Sequence, residues 1–276
     1  MQTYTASDKQ KLYVKVIGRG PAIVFLHAWT SSHRDWLRCA AGLENEHRCF
    51  CWDARGHGGH ALTVQTEPSV GRMAEDLKDL LGHFQLEKPL LLGHSMGALT
   101  IWEYIRRYGC DNIGKLCFVD QSPKLITDQG WKYGIYGDFP ASRNRKLVAC
   151  MEQDFVEAVL RLVAESNNPR AHEGYVGNSV EFQRMRRSIQ SLDPVPLISI
   201  WKSLCLADYR DVLPAIRVPT LLVHGSESHF YSVELGEYVR DRIPNSQLHL
   251  YEGADHSPHL GQRERFLSDL RKLASL

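Results

Sequence analysis

Gly93-His94-Ser95-Met96-Gly97 is the stretch on which the reading of this chain turns. Pro89-Leu90-Leu91-Leu92 precedes it as a short unbroken apolar run, the pattern of a strand covered on both faces. After it, Leu99, Trp102 and Ile105 fall on one face of a helix. A serine flanked at two residues on each side by glycine, between a strand and a helix, has a steric reason. The chain reverses so sharply there that the serine backbone is strained, and side chains two positions before and after would collide with it. The turn lifts the hydroxyl above the end of the sheet. The Met96 N–H opens the helix, where backbone donors lack an internal partner. It is therefore available to an oxyanion formed when Ser95 attacks a carbonyl.

On either side of this turn, short apolar runs alternate with helical patterns, which predicts an α/β chain with a mostly parallel sheet. Residues 11–16 alternate and read as a half-exposed strand; 22–26, 49–52, 115–120, 220–223 and 247–251 read as further strands. Val70, Met73, Leu77, Leu80, Leu81 and Phe84 recur at helical spacing, as do Phe266, Leu267, Leu270 and Leu273 at the end. The rhythm breaks over 123–205, where helical stretches carry recurring aromatics and no buried strand is evident. This predicts a core of residues 1–122 and 206–276 with a helical lid, 123–205, inserted into it.

Bulk properties bound the function classes. A chain of 276 residues with 43% hydrophobic and 24% charged residues has an ordinary globular balance. A formal net charge of +1 gives no reason to expect nucleic acid or an anionic membrane as partner. The first eight residues lack the apolar core of a signal peptide, and no stretch approaches the roughly 18 apolar residues of a membrane span. Seven cysteines, an odd number without zinc spacing, read as reduced thiols of a cytoplasmic protein. Cys49 and Cys51, two apart on a strand, share a face and are expected to pack rather than bridge.

The turn around Ser95, together with His27-Ala28-Trp29, Asp53-x-Arg55-Gly56-His57-Gly58 and Gly253-Ala254-Asp255-His256, resembles the α/β-hydrolase family, from Ala22 to the C-terminus. The resemblance implies that fold, with Ser95 as nucleophile and His256 as its base in the loop after the last strand. His259 fits that setting less well. The resemblance also makes the Trp29 N–H the second oxyanion donor beside Met96. Ala28 stands where the family usually has glycine, so its φ is expected to be negative. The loop 53–58 is expected to brace the elbow and the oxyanion loop.

The acid is open. The family's usual aspartate would fall at position 228, which is Ser228. Asp120 ends a strand at the place where members with a displaced acid carry it. Glu227 lies one residue early, and such a slip redirects a side chain, so reach favours Asp120.

The chemistry implied is acyl transfer to Ser95 and hydrolysis of a small carboxylic ester or lactone, with neither metal nor cofactor, by a monomer or homodimer. Trp131, Tyr136 and Trp201, with Tyr133, are candidates to line an apolar or aromatic pocket. Arg143, Arg145, Lys146, Arg184, Arg186 and Arg187 read as solvated helix faces, or as a clamp for an anionic substrate. A serine nucleophile argues against an epoxide hydrolase or dehalogenase. A carbon–carbon bond hydrolase fits the same residues, as does a receptor of this fold with vestigial turnover. Cofactor-free ring-cleaving dioxygenases of heteroaromatic substrates resemble this chain in the displaced acid and the oxyanion-loop tryptophan.

Overall fold

Strands that are apolar at nearly every position must be covered on both faces, and the chain supplies a helical layer for each. A computed structural model describes residues 1–166 and 168–276. Eight strands, β1 (Gln2–Thr5), β2 (Lys11–Gly18), β3 (Ala22–Leu26), β4 (Arg48–Asp53), β5 (Leu90–His94), β6 (Lys115–Val119), β7 (Thr220–Gly225) and β8 (Ser246–Tyr251), form one sheet. Their order is β1-β2-β4-β3-β5-β6-β7-β8. The first two strands pair antiparallel and the remainder run parallel, with Phe25, Leu92, Cys117 and Leu221 aligned across one row.

The helices are α1 (Leu37–Leu43), α2 (Val70–His83), α3 (Met96–Tyr108), α4 (Ala141–Gln153), α5 (Phe155–Ala164), α6 (Pro169–Val176), α7 (Val180–Gln190), α8 (Pro194–Leu206), α9 (Val233–Arg240), α10 (Pro258–Gly261) and α11 (Arg263–Ser275). The period of two along each strand sorts side chains between the layers. Phe25, Cys51, Leu92, Cys117 and Val223 meet Trp36 and residues of α1 and α11 on one face. Val24, Phe50, Leu91, Leu116 and Phe118 meet α2 and α3 on the other, through Met73, Leu77, Ile101 and Trp102. Cys49 and Cys51 are free and buried in the first layer, where burial pushes the Cys49 thiol up to about 12.

Four elements escaped the sequence reading: β1, α1, α9 and α10. The edge strand β1 has four residues with one fully buried side chain, Tyr4, too few to show a period. The helix α1 is short and begins straight out of a 3-10 turn at His33–Trp36.

Five helices, α4 to α8, lie between β6 and β7 and cross the end of the sheet at which Ser95 stands. Their separation is written in the local sequence. Asp154, Asn168, Ser179 and Asp193 each cap the next helix by accepting a backbone N–H, and Pro169 and Pro194 open α6 and α8. The ends of the insertion meet: the Tyr209 N–H donates to the Pro123 carbonyl at 2.9 Å, and Lys124 bridges to Asp208. Among the described residues no helix is long and apolar enough to cross a membrane.

Candidate active site

Ser95 follows β5 directly and caps α3 with φ 52°, ψ −116°, a left-handed conformation for a side-chain-bearing residue. Both glycines are sterically required, though by the start of α3 and by β3 rather than by the serine backbone. A Cβ on Gly93 would come within 2.5 Å of the Ala98 nitrogen, and one on Gly97 within 2.4 Å of the Leu26 carbonyl oxygen. The Ser95 N–H donates to the Val119 carbonyl at 3.2 Å, which ties the elbow to β6.

The loop after β3 faces the elbow. Ala28 keeps a non-positive φ, and the left-handed residue is Thr30, at 64°. Among the described residues neither the Met96 nor the Trp29 N–H donates to another residue, so both remain for a ligand. The loop is held from below. His27 donates through Nδ1 to the Ala28 carbonyl at 2.7 Å and accepts the Ala54 N–H at 3.1 Å. His57 accepts the Thr30 N–H at 3.2 Å and donates to the Arg55 carbonyl at 3.0 Å. Burial pushes His57 down to about 3, consistent with the neutral ring these partners require. Arg55 in turn is buried in a two-pronged pair with Asp76 of α2, both contacts 2.6 Å. The loop 53–58 therefore braces the loop after β3.

His256 lies between β8 and α10. Its Nδ1 donates to Asp120 Oδ2 at 2.6 Å. Asp120 is fully buried and itself left-handed, with φ 46°. Burial alone would raise its carboxyl; the imidazoles of His224 and His256 outweigh that and hold it well below the usual carboxylate range. The Ser228 hydroxyl donates to the same Oδ2 at 2.5 Å, so the residue standing where an aspartate was sought is bonded to Asp120 instead. His94 donates through Nε2 to the His256 carbonyl at 2.8 Å, fixing that loop from the strand side. His259 is turned away, stacked on Trp36 at 4.3 Å and pushed down to about 3 by burial.

A cavity of about 350 Å³ receives Ser95, Met96, Trp29 and His256 in its wall. The remainder of the wall is largely apolar: Leu99 of α3, Leu125 and Ile135 from the segment after β6, and Val159, Leu162, Ile189, Trp201 and Leu204 from α5, α7 and α8. Phe230 stands edge-on to the His256 ring at 4.6 Å. Asp35 is the one carboxylate of the lining and no lysine or arginine belongs to it, among the described residues. Burial raises the Asp35 carboxyl against the opposing pull of the Ser31 hydroxyl.

Three pocket candidates, Trp131, Tyr133 and Tyr136, lie outside this lining, and the less favoured acid, Glu227, points elsewhere. Trp131 does not line this cavity: its Nε1 donates to the Lys124 carbonyl at 2.8 Å, and its ring meets Tyr133 and Tyr238 at the neck of the insertion. Tyr136 lies one layer behind, stacked on Phe230 at 6.0 Å with its hydroxyl donating to the Leu162 carbonyl. Glu227 faces outward and pairs with Arg170 at 2.9 Å, so its carboxylate is engaged away from His256. Of the basic clusters, Arg186 pairs with Glu157 at 2.7 Å and Arg143 lies over Tyr136. The sequence reading passed over His224, Gln121, Phe230 and Asp35. His224 alone left a trace, as a histidine closing the apolar run 220–223.

Comparison with known proteins agrees with this architecture. A family described as alpha/beta hydrolase fold matches residues 21–262. The chain is 26% identical to the 3-oxoadipate enol-lactonase 1 of Acinetobacter baylyi over 272 residues, covering 95% of this chain and 92% of that protein. It is 26% identical to a non-heme chloroperoxidase of Kitasatospora aureofaciens over 276 residues, 98% of each. An esterase from Exiguobacterium antarcticum superposes with a TM-score of 0.85 at 25% identity, over 100% of this chain and 99% of that one. With the model match spanning most of its length, the chain belongs to the α/β-hydrolase fold family.

Proposed function

We propose that this chain is a serine hydrolase of small neutral carboxylic esters or lactones, working through an acyl-enzyme. The observation that carries the reading is the meeting, in one apolar cavity, of Ser95 on its strained turn, the unengaged Met96 and Trp29 N–H groups, and a histidine bonded to a buried carboxylate. Because His256 donates through Nδ1 to Asp120, its Nε2 is the basic nitrogen. That nitrogen takes the Ser95 proton as Oγ forms a bond to the substrate carbonyl carbon. Met96 and Trp29 N–H donate to the resulting oxyanion. Collapse breaks the acyl carbon–oxygen bond, and His256 returns the proton to the departing alkoxide. Water, deprotonated by the same nitrogen, then releases the acid and regenerates Ser95.

The wall of the cavity supports a neutral, apolar acyl or alcohol portion, since among the described residues no lysine or arginine lines it to pair with an anion. Helices α4 to α8 serve as the lid over it. Every residue in the scheme comes from one copy of the chain, and seven free thiols support a cytoplasmic location.

Labelling by a fluorophosphonate tests the scheme. The intact protein is expected to label, and Ser95→Ala and His256→Ala to lose the label, with kcat toward esters falling by about three orders of magnitude or more in each. A Ser95→Ala protein that retains ordinary turnover would overturn it. The carboxylate after β6 and the tryptophans 29 and 201 in the cavity also favour a second reading, proton abstraction from a heteroaromatic substrate by His256 ahead of reaction with oxygen. Oxygen uptake with a hydroxyquinolone that survives Ser95→Ala would select it.

A further inference from the structure

Asp120 is bonded on both sides. Opposite His256, the other carboxylate oxygen, Oδ1, lies 2.9 Å from Nδ1 of His224 at the end of β7. The far nitrogen of the same ring, Nε2, lies 3.0 Å from the Ser232 carbonyl oxygen. An ionised carboxylate and an amide carbonyl are acceptors only. A neutral imidazole carries a single N–H. It would therefore turn a nitrogen lone pair toward an oxygen at about 3 Å in a buried place, with nothing to offset the repulsion. Only the ring with a proton on each nitrogen satisfies both contacts.

The alternative location of that proton, on Asp120, is opposed by the other donors. The Gly225 N–H reaches Oδ1 at 3.2 Å, while the Ser228 hydroxyl and His256 Nδ1 reach Oδ2 at 2.5 and 2.6 Å. A carboxylate that accepts several hydrogen bonds is held ionised.

We propose that His224 is a constitutively protonated positioning residue, an imidazolium that clamps Asp120 from the side opposite His256 and offsets its charge. The groups around it are few. Asp120 faces it from β6, the exposed Glu234 stands in the first turn of α9, and His256 lies across the carboxylate. Gly236 of α9 packs on the ring, Leu250 of β8 is its register partner, and the Tyr231 phenol accepts from Gln121 instead. Burial disfavours the charged ring, but Asp120 together with the Ser232 and Tyr231 main chain outweighs burial and raises its pKa. His224 is absent from the cavity wall, so it acts on the reaction through Asp120 alone.

The consequence has a definite sign. Asp120 without a second cation would attract a proton to His256 with its full charge. With His224 charged, the Asp120–His224 pair is neutral and the pull of the carboxylate is shared between two rings. His224→Asn keeps an N–H donor toward Oδ1 and removes the charge. The acid limb of kcat/KM in that variant is expected to move up by about one pH unit or more, with activity well above the limb within about tenfold of the parent. An unmoved limb would overturn the effect on the base.

The charge itself is read in the unaltered protein by imidazole 15N NMR. One ring is expected to keep both nitrogens protonated at pH 8, and no such ring would overturn the proposal even if the variant fails to fold. The shift of the limb rests on the acyl-transfer reading, whereas the NMR result does not. A doubly protonated ring in a protein that fails to label at Ser95 would therefore count against that reading and leave the clamp standing.

Discussion

Asp120 has two oxygens and four close partners, and that crowding separates it from Glu227. An amide at position 120 must present an NH₂ either to the Ser228 hydroxyl and His256 Nδ1 or to the Gly225 N–H and His224. Each choice sets donor against donor or forces the base into the wrong tautomer. Asp120→Asn is therefore expected to lower kcat by about 10⁴, as loss of the orienting acid does in a serine triad. Glu227 makes one exposed pair with Arg170, and exposed pairs contribute about 0–1 kcal/mol. Glu227→Gln should keep kcat/KM within about twofold. Measuring both variants on one ester decides which carboxylate is the acid; comparable losses in the two would defeat the assignment.

At the scale of elements, the loop after β3 owes its shape to a chain of supports that ends in α2. Thr30 is held by His57, the loop that carries His57 by Arg55, and Arg55 by Asp76 in the interior of α2. Asp76 is fully buried, so Asp76→Asn leaves the Arg55 guanidinium short of a counter-charge, with the largely buried Asp8 as its remaining partner among the described residues. Breaking a buried pair from one side costs about 3–5 kcal/mol. Chemical denaturation should show a loss of that size, and an unchanged midpoint would mean that the brace is dispensable. The recurring aromatics of the insertion were visible in the sequence, yet only Trp201 reached the cavity. A helical aromatic stripe records that one face is covered without recording by what. Trp131 spends its ring on the neck of the insertion and Tyr136 backs Phe230, while Trp201 leans on Trp29 at 4.8 Å.

The whole molecule carries two kinds of histidine with opposite effects on its stability. His57 and His259 are buried and neutral, each pushed down to about 3 by burial, whereas an unfolded histidine titrates near about 6.5. Below about 6.5 the unfolded chain binds protons that the folded one refuses, so these two sites destabilise the fold as pH falls from there toward 3. Asp120, held below its ordinary range, adds to this below about pH 4. His224 works the other way: its raised pKa stabilises the fold below about 6.5, and that contribution is lost as pH rises through its folded value. His259→Phe removes one proton-refusing site while keeping a ring against Trp36. Its Tm is expected to fall less steeply than the parent's between pH 6.5 and 5, a difference that calorimetry resolves; parallel slopes would locate the acid sensitivity elsewhere.

The sequence by itself determined what depends on near neighbours along the chain. Gly93 is required by a reversal only five residues long, the strand and helix periods sort side chains within one element, and the caps at Asp154, Asn168, Ser179 and Asp193 start their own helices, whereas Gly97 is also required by the approach of Leu26 on β3. The turn and the periods identified the elbow, Ser95 and the strands of the sheet's interior, and the break in that rhythm over 123–205 identified the helical insertion. What only the tertiary structure decided is contact across long separations. Asp120 and His256 are 136 residues apart, and choosing between Asp120 and Glu227 required knowing that β6 and β7 are adjacent with Asp120 at the end that faces His256. The support from Ser228 and the clamp by His224 arise from the same adjacency, since a hydroxyl and an imidazole take up their proton partners only once the carboxylate is beside them. The short edge strand β1 belongs here too: four residues carry too little pattern of their own, and their place is set by the hydrogen bonds that β2 offers.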